Sequence, residues 1–441
     1  MSETFCPIPW NFQAIRNNGD IRICCQANIT PNKGVVRHED GTPFNAARDS
    51  LEEARNASLM KDVRKNMLAG KWSEECKRCK DEEAAGLNSR RTYELSNWPN
   101  DTVESILPIT SEDGTIDTTQ LPIKYYDLRF GNMCNLACRM CGPEDSHTWY
   151  EQWSKFTKTE SFVDTHGIVK LIRNSVGRLT TTDYDWHSSE AFWDQISANI
   201  GNIQQVYMAG GEPLLIERHY EFLDKCISAD AAKNIVLEYN TNGTLLPARV
   251  VEMWKHFKQV RIGVSIDGIG KVVEYQRWPA KWSQLKSNLE KLNALVDNNP
   301  NIDVWLAVTV TAYNVMHIAD MIEWKIFESN LPNINRYLPL MTPHIAHRPE
   351  TTNIKLLPAE YKLLVEQRFA KSIDLLKDTQ HVSRATKIYN GIIKYMNSED
   401  WYNRFFDDFE ELTNFLDIER NQNIFEITPE LKPWFKHRGN V

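Results

Sequence analysis

The chain has 441 residues and a formal net charge of −8, with 41% hydrophobic and 25% charged residues. That size allows two or three domains with full cores, and the negative balance argues against sequence-independent nucleic-acid binding, which demands a concentrated basic face. No apolar run approaches the roughly 18 to 20 residues needed to span a bilayer, and the opening residues lack the layout of a signal peptide, so a cytoplasmic protein with no membrane partner is expected.

Residues 1–100 hold Cys6, Cys24, Cys25, Cys76 and Cys79, and read as a small cysteine-rich domain. Between these cysteines, "AARDSLEEARNASLMKDVRKNMLAG" predicts a charged amphipathic helix ending near Gly70. Residues 101–122 have loop composition and read as a linker. Eight of the nine cysteines precede residue 142. In a reducing compartment such crowding points to metal or redox chemistry rather than disulfides.

From 123 to 343, six β-rich runs alternate with helical segments: "IKYYDLRFGN", "QVYMAGGEP", "IVLEYNTNG", "QVRIGVSIDG", "DVWLAVTVTAYN" and "NRYLPLMTP". Continuous apolar strands alternating with helices imply right-handed βα units and a parallel sheet, curved into a partial (β/α)6 barrel. Chemistry in such barrels collects at the C-terminal strand ends. The polar tails "GNMCN", "AGGEP", "NTNG" and "SIDG" lie there. Residues 344–441 read as a helical extension, in which Trp401, Phe405, Phe409, Leu412 and Leu416 share one helix face and are expected to be a packed stripe. The fold class is therefore α/β: a partial barrel preceded by a small cysteine-rich domain and followed by helices.

The loop after the first barrel strand carries Cys134, Cys138 and Cys141 as CxxxCxxC. A structural zinc site or a ferredoxin cluster wants four ligands. Three thiolates can instead hold three irons of a cubane, leaving the fourth open to a small chelator such as the amino and carboxylate groups of an amino acid.

This arrangement resembles the signature of the radical S-adenosylmethionine (SAM) superfamily. "MAGGEPLL" is similar to that family's GGE motif, with Gly210, Gly211, Glu212 and Pro213 in place, a simple turn being the other reading; "YNTNGTLL" and "VSIDGIGKVVEYQRW" resemble the next two strand ends. The resemblance implies a [4Fe–4S] cluster on Cys134, Cys138 and Cys141 with SAM at its open iron. It further implies that Glu212 accepts from the SAM amino group, that Ser265 and Arg277 meet its carboxylate or ribose, and that Met140 lies near adenine. Asn242 and Asp267 fit turns equally well, since Asn-Gly and Asp-Gly are turn dipeptides.

The N-terminal cysteines resemble the auxiliary-cluster modules called SPASM and twitch. That likeness implies one auxiliary [4Fe–4S] cluster on Cys6, Cys24, Cys76 and Cys79, with Cys25 as an alternative to Cys24. Such modules usually follow the barrel, whereas this one precedes it and has cysteines for one cluster only, so the twitch label fits better. A structural zinc site is the rival reading.

The implied activity is reductive cleavage of SAM to a 5′-deoxyadenosyl radical that abstracts a substrate hydrogen, fed by a one-electron reductant such as flavodoxin or ferredoxin. Oxidation or crosslinking of a peptide or protein residue is the leading expectation. Dehydrogenation of a small molecule such as a sugar or nucleoside is the alternative, and a non-catalytic zinc scaffold a third. No residue is assigned to the hydrogen transfer itself. Cys226 is expected to be a buried apolar thiol on an outer helix, and His344 and His347 ordinary loop residues.

Overall fold

The computed structural model describes residues 4–27, 34–84, 88–157, 169–181, 183–337 and 340–436. An eight-stranded sheet dominates it. β1 (Phe12–Ile15) and β2 (Ile21–Arg22) come from the N-terminal segment; β3 (Tyr125–Phe130), β4 (Gln205–Gly210), β5 (Val236–Thr241), β6 (Gln259–Ser265), β7 (Ile302–Val310) and β8 (Thr342–Ile345) follow. The spatial order is β8-β7-β6-β5-β4-β3-β1-β2. All pairings are parallel except β1 with β2.

Alternation along each strand separates an apolar face from a polar one. On β3, Tyr126, Leu128 and Phe130 face a helical layer, where Asn199 donates to the Tyr126 hydroxyl (2.9 Å) and Phe130 stacks 6.0 Å from Trp186 and 6.2 Å from Trp193. Tyr125, Asp127 and Arg129 turn to the inner face. Register carries that face across the sheet: Ala14, Asp127, Tyr207, Glu238, Arg261 and Asp303 stand side by side on successive strands. The barrel interior is thus polar at this level, while Ile302, Val304, Leu306, Val308 and Val310 on β7 are buried on the opposite side.

The N-terminal segment is knitted into this sheet, since β1 lies parallel beside β3 with Phe12 opposite Tyr125. The single helix expected over 46–70 is two: α1 (Leu51–Arg55) and α2 (Ser58–Leu68). Asn56 breaks it because its side chain both donates to the Ile116 carbonyl (2.9 Å) and accepts from the Ile116 amide (3.0 Å). The stretch 101–122 is accordingly packed down, with Ile106 and Ile116 buried and Thr110 accepting from the Trp10 indole (2.9 Å). α3 (Arg90–Asn97) completes this part.

Cys226 is buried on α4 (Glu217–Ser228), as expected. The sixth barrel strand starts later than "NRYLPLMTP" suggests. Asn335 adopts a left-handed φ of +63° and its side-chain oxygen accepts from the Leu306 amide (3.0 Å), while Arg336 pairs with Asp303 (2.9 Å), so this stretch turns before β8 begins. His344 consequently lies on β8 rather than in a loop. His347 follows it and hydrogen-bonds the Tyr395 hydroxyl (3.1 Å).

Among the described residues after β8, the last α-helix is α5 (Tyr402–Arg420), followed by two short 3-10 segments, Ile424–Glu426 and Pro429–Trp434. Phe409, Leu412 and Leu416 of the predicted stripe are buried, whereas Trp401 and Phe405 are half-buried. Among the described residues, no helix is long and apolar enough to cross a membrane.

Candidate active site

The cysteine loop leaves β3 through Gly131, whose φ of +61° and contact with Tyr184 leave no room for a side chain: a Cβ there would stand 2.1 Å from the Tyr184 carbonyl oxygen. The end of β4 lies directly against this loop. Gly211 donates to the Gly131 carbonyl (3.1 Å) and Glu212 to the Met133 carbonyl (2.8 Å), and a Cβ on Gly211 would meet Met133 O at 2.2 Å. The glycines of "GGEP" therefore seat one strand end on the next, a role beyond the ligand approach expected of them.

Glu212 is fully buried. Its Oε1 accepts from the Leu214 amide (3.2 Å) and the Thr241 hydroxyl (2.8 Å), and its Oε2 from the Asn242 amide (2.7 Å). Burial outweighs these donors and pushes its carboxyl up to about 6. Asn242 in turn reaches the cysteine loop: its Nδ2 donates to Asn135 Oδ1 (2.8 Å) and lies 3.8 Å from Cys134 Sγ. Asn242 is thus a tether as well as a turn residue.

Asp267 is likewise more than a turn. Completely buried, it accepts from the Thr309 amide (2.7 Å) and pairs with Arg277 Nε (2.6 Å), and Arg277 Nη1 stands 3.8 Å from Cys138 Sγ. A hydrogen bond from Cys141, aided by the Arg277 guanidinium, lowers Cys138 despite its burial, and the same contact raises Cys141. Burial, with the neighbouring Cys138 second, pushes Cys134 up to about 12. Among the described residues, no three His, Cys, Asp or Glu side chains are grouped to share one metal ion. Nitrogen donors aimed at two of the three sulfurs suit a cluster, whose sulfurs are tuned by such hydrogen bonds. Ser265 closes β6 at the same end of the sheet, and Met140 sits half-buried in the cysteine loop.

Residues 128–324 match the family model of the Radical SAM superfamily. The barrel is similar to that superfamily over these residues. That likeness points to a [4Fe–4S] cluster with SAM, and the thiol set above fits it. Two curated relatives are similar to the chain, both named GTP 3′,8-cyclase. The one from Alkaliphilus oremlandii (strain OhILAs) is 26% identical over 202 residues, covering 46% of this chain and 52% of the relative. The one from Aliarcobacter butzleri (strain RM4018) is 21% identical over 277 residues, covering 63% and 72%. The chain thus spans about half the length of the first relative. Among solved structures, Streptococcus suis SuiB bound to S-adenosylmethionine gives a TM-score of 0.34 at 12% identity, covering 79% of this chain and 66% of that one. Native anSMEcpe with bound AdoMet gives 0.33 at 17% identity, covering 61% and 62%.

The barrel has a brace that the sequence concealed. Arg139, fully buried between two of the cysteines, donates to Asp417 Oδ1 (2.7 Å) and Gln422 Oε1 (3.0 Å), and its guanidinium lies 3.7 Å from the Tyr275 ring centroid. Asp417 also accepts from the Tyr275 hydroxyl (2.8 Å) and the Ile424 amide (2.8 Å). Beside this pair, Leu412 and Leu416 of α5 pack with Ala137, Trp149 and Phe156, and Trp149 Nε1 donates to the Cys138 carbonyl (3.0 Å). The C-terminal helix thereby clamps the cysteine loop and covers it from water.

Outside the cysteine loop, Cys6, Cys24, Cys76 and Cys79 line one cavity together with Trp72, Arg90 and Arg91. Burial raises Cys6 and Cys79 and pushes Cys76 up to about 12, while a hydrogen bond to Cys25 raises Cys24. Cys25 faces a different cavity. Arg90 joins the four-cysteine cavity to the barrel interior, pairing with Glu94 (2.5 Å) and donating to the Tyr125 hydroxyl (2.9 Å) on the inner face of β3.

Proposed function

We propose that this chain cleaves SAM reductively at a [4Fe–4S] cluster held by Cys134, Cys138 and Cys141, and uses the radical for oxidative modification or crosslinking of a peptide or protein residue. When bound, the cluster and SAM supply a 5′-deoxyadenosyl radical able to take hydrogen from an unactivated carbon. The observation that carries the reading is the convergence of Asn242 on Cys134 and of Arg277 on Cys138 beside the buried Glu212 carboxylate. Gly210, Gly211 and Glu212 would receive the amino group of SAM, Ser265 and Arg277 its carboxylate or ribose, and Met140 its adenine. Asp267 holds Arg277 in place, and the clamp from α5 keeps water away.

A second [4Fe–4S] cluster would be held by Cys6, Cys24, Cys76 and Cys79, whose shared cavity supports that set, with Cys25 outside it. Arg90, touching both this cavity and Tyr125, favours electron exchange with the barrel interior over a purely structural role. A one-electron reductant such as flavodoxin or ferredoxin would supply the radical SAM site. The relatives' name favours a second reading, a nucleotide substrate.

Anaerobic iron and sulfide counting tests the cluster assignment. About eight irons are expected in the wild type and about four when Cys134, Cys138 and Cys141 are all alanine. An unchanged count in that variant refutes it. Incubating the reduced protein with SAM should yield 5′-deoxyadenosine, and peptide and GTP arms, followed by mass spectrometry, separate the two substrate readings.

A further inference from the structure

Buried arginines meet at the cysteine loop, and two of them are matched by a carboxylate. Arg139 pairs with Asp417 (2.7 Å) and Arg277 with Asp267 (2.6 Å). Arg420, which closes α5, is 6% exposed. Among the described residues it pairs with no carboxylate. Its Nε and Nη2 share one neutral acceptor, Gln152 Oε1 (3.3 and 2.8 Å), and its buried Nη1 has no hydrogen-bond partner. Asp417, one turn back on α5, is taken by Arg139, the Tyr275 hydroxyl and the Ile424 amide.

The surroundings tie this unmatched cation to the cysteines. Its guanidinium lies 4.8 Å from the Trp149 ring centroid and 5.1 Å from that of Trp278. Both residues are fastened to the cysteine loop: the Trp149 indole donates to the Cys138 carbonyl (3.0 Å), and the Trp278 carbonyl accepts from the Ala137 amide (2.8 Å). Two aromatic faces and one amide offset only part of what it costs to bury a charge. Burial, with the like charge of Arg139 second, pushes Arg420 down to about 9, so it stays cationic at neutral pH, and Cys138 is the first of the groups that favour its charge. In return, after the hydrogen bond from Cys141 and the charge of Arg277, Arg420 helps to lower Cys138 against burial. Three thiolates on a cubane would bring net negative charge to this loop, and an added electron would increase it. A fixed cation under cover from water favours the more negative state and therefore raises the reduction potential, which net charge and exposure set.

We infer that Arg420 is the counter-charge of the cluster proposed on Cys134, Cys138 and Cys141, and that it raises the potential at which that cluster takes up an electron. The inference rests on the cluster assignment above and adds to it a residue from the far end of the chain. Arg420 acts through its charge, from the α5 side of the loop, whereas Asn242 reaches the same loop from the end of β5.

A redox titration of the anaerobically loaded, full-length protein, followed by electron paramagnetic resonance, tests it. The signal that changes shape when SAM is added to a separate sample marks the cluster in question, and a SAM-insensitive signal serves as internal reference. Arg420→Met and Arg420→Gln each remove the charge. Both should disfavour reduction of the SAM-sensitive cluster about tenfold, a shift of about 59 mV toward negative potential for one electron, and leave the reference in place. Arg420→Lys should restore most of the wild-type midpoint. A midpoint within threefold of wild type in both neutral variants overturns the inference, as does an equal shift in Arg420→Lys. Weakened SAM binding by calorimetry with an unmoved midpoint overturns it as well and gives the guanidinium to the SAM carboxylate instead. Both neutral variants should fold without the cluster, by circular dichroism, because what they lack is a buried charge with no partner; failure of both to fold makes Arg420 a structural residue and overturns the inference. The two readings separate in the wild type: a SAM-sensitive signal whose midpoint ignores Arg420 sinks the counter-charge alone, and the absence of any such signal sinks the cluster assignment.

Discussion

Replacing Asp417 by alanine should detach the C-terminal clamp from the cysteine loop. The change removes the acceptor of Arg139 Nη2, of the Tyr275 hydroxyl and of the Ile424 amide together. It leaves the Arg139 guanidinium, whose side chain is 0% exposed, without its counter-charge. Breaking a buried ion pair from one side costs about 3–5 kcal/mol. Gln422 Oε1 and the Tyr275 ring still face Arg139, which places the expected loss at the lower end, about 3 kcal/mol. A solvent-facing pair between the same helix and a neighbouring one, Glu419 with Lys155 (2.6 Å), supplies the contrast: Glu419→Ala should cost about 0–1 kcal/mol. Urea unfolding followed by tryptophan fluorescence gives both values, and iron content after anaerobic desalting reports on the loop. A loss for Asp417→Ala no larger than that for Glu419→Ala, with iron fully retained, refutes the clamp.

The proposed role of Glu212, holding the ammonium group of SAM, requires it to be ionised, and its carboxyl is raised to about 6. SAM affinity is therefore expected to fall as pH drops from 8 through 6, where an ordinary glutamate would remain charged, and calorimetry should show a flat profile in this range for Glu212→Gln. Gly211→Ala would drive a Cβ to 2.2 Å from the Met133 carbonyl oxygen. It should cost about 1–3 kcal/mol of stability, as overpacking does, in the same urea assay, and a silent substitution would contradict the seating of β4 on the cysteine loop. Cys24→Ser should remove about four of the irons and Cys25→Ser none, the reverse outcome moving the auxiliary ligand to Cys25.

Local chemistry was readable from the sequence wherever the residues that cooperate are neighbours in the chain. Cys134, Cys138 and Cys141 sit within one loop, and Glu212 is marked by its glycines. The strands of the barrel were visible because burial on one face and polarity on the other leave a pattern in consecutive residues. Arg139 was not, since its partner Asp417 is 278 positions away and nothing local marks either. Asn242 and Asp267 carry the dipeptide signature of turns, which conceals that their side chains anchor the cysteine loop and Arg277. β1 was missed because four residues, Phe12–Ile15, are too few to show a period. The packing of 101–122 was not legible for another reason: polar composition says nothing about a backbone fastened by Asn56 from a distant helix end.

The parallel seam between β1 and β3 has a consequence for how the molecule is made and cut. Phe12 meets its parallel partner Tyr125 across more than a hundred residues of intervening chain, so β1, already in a hairpin with β2, joins β3 only through a slow long-range closure. A fragment starting at residue 123 would bare the flank of β3, leaving its unpaired amides as a template for aggregation. Dissecting this chain into modules is therefore expected to yield insoluble halves, not two working parts.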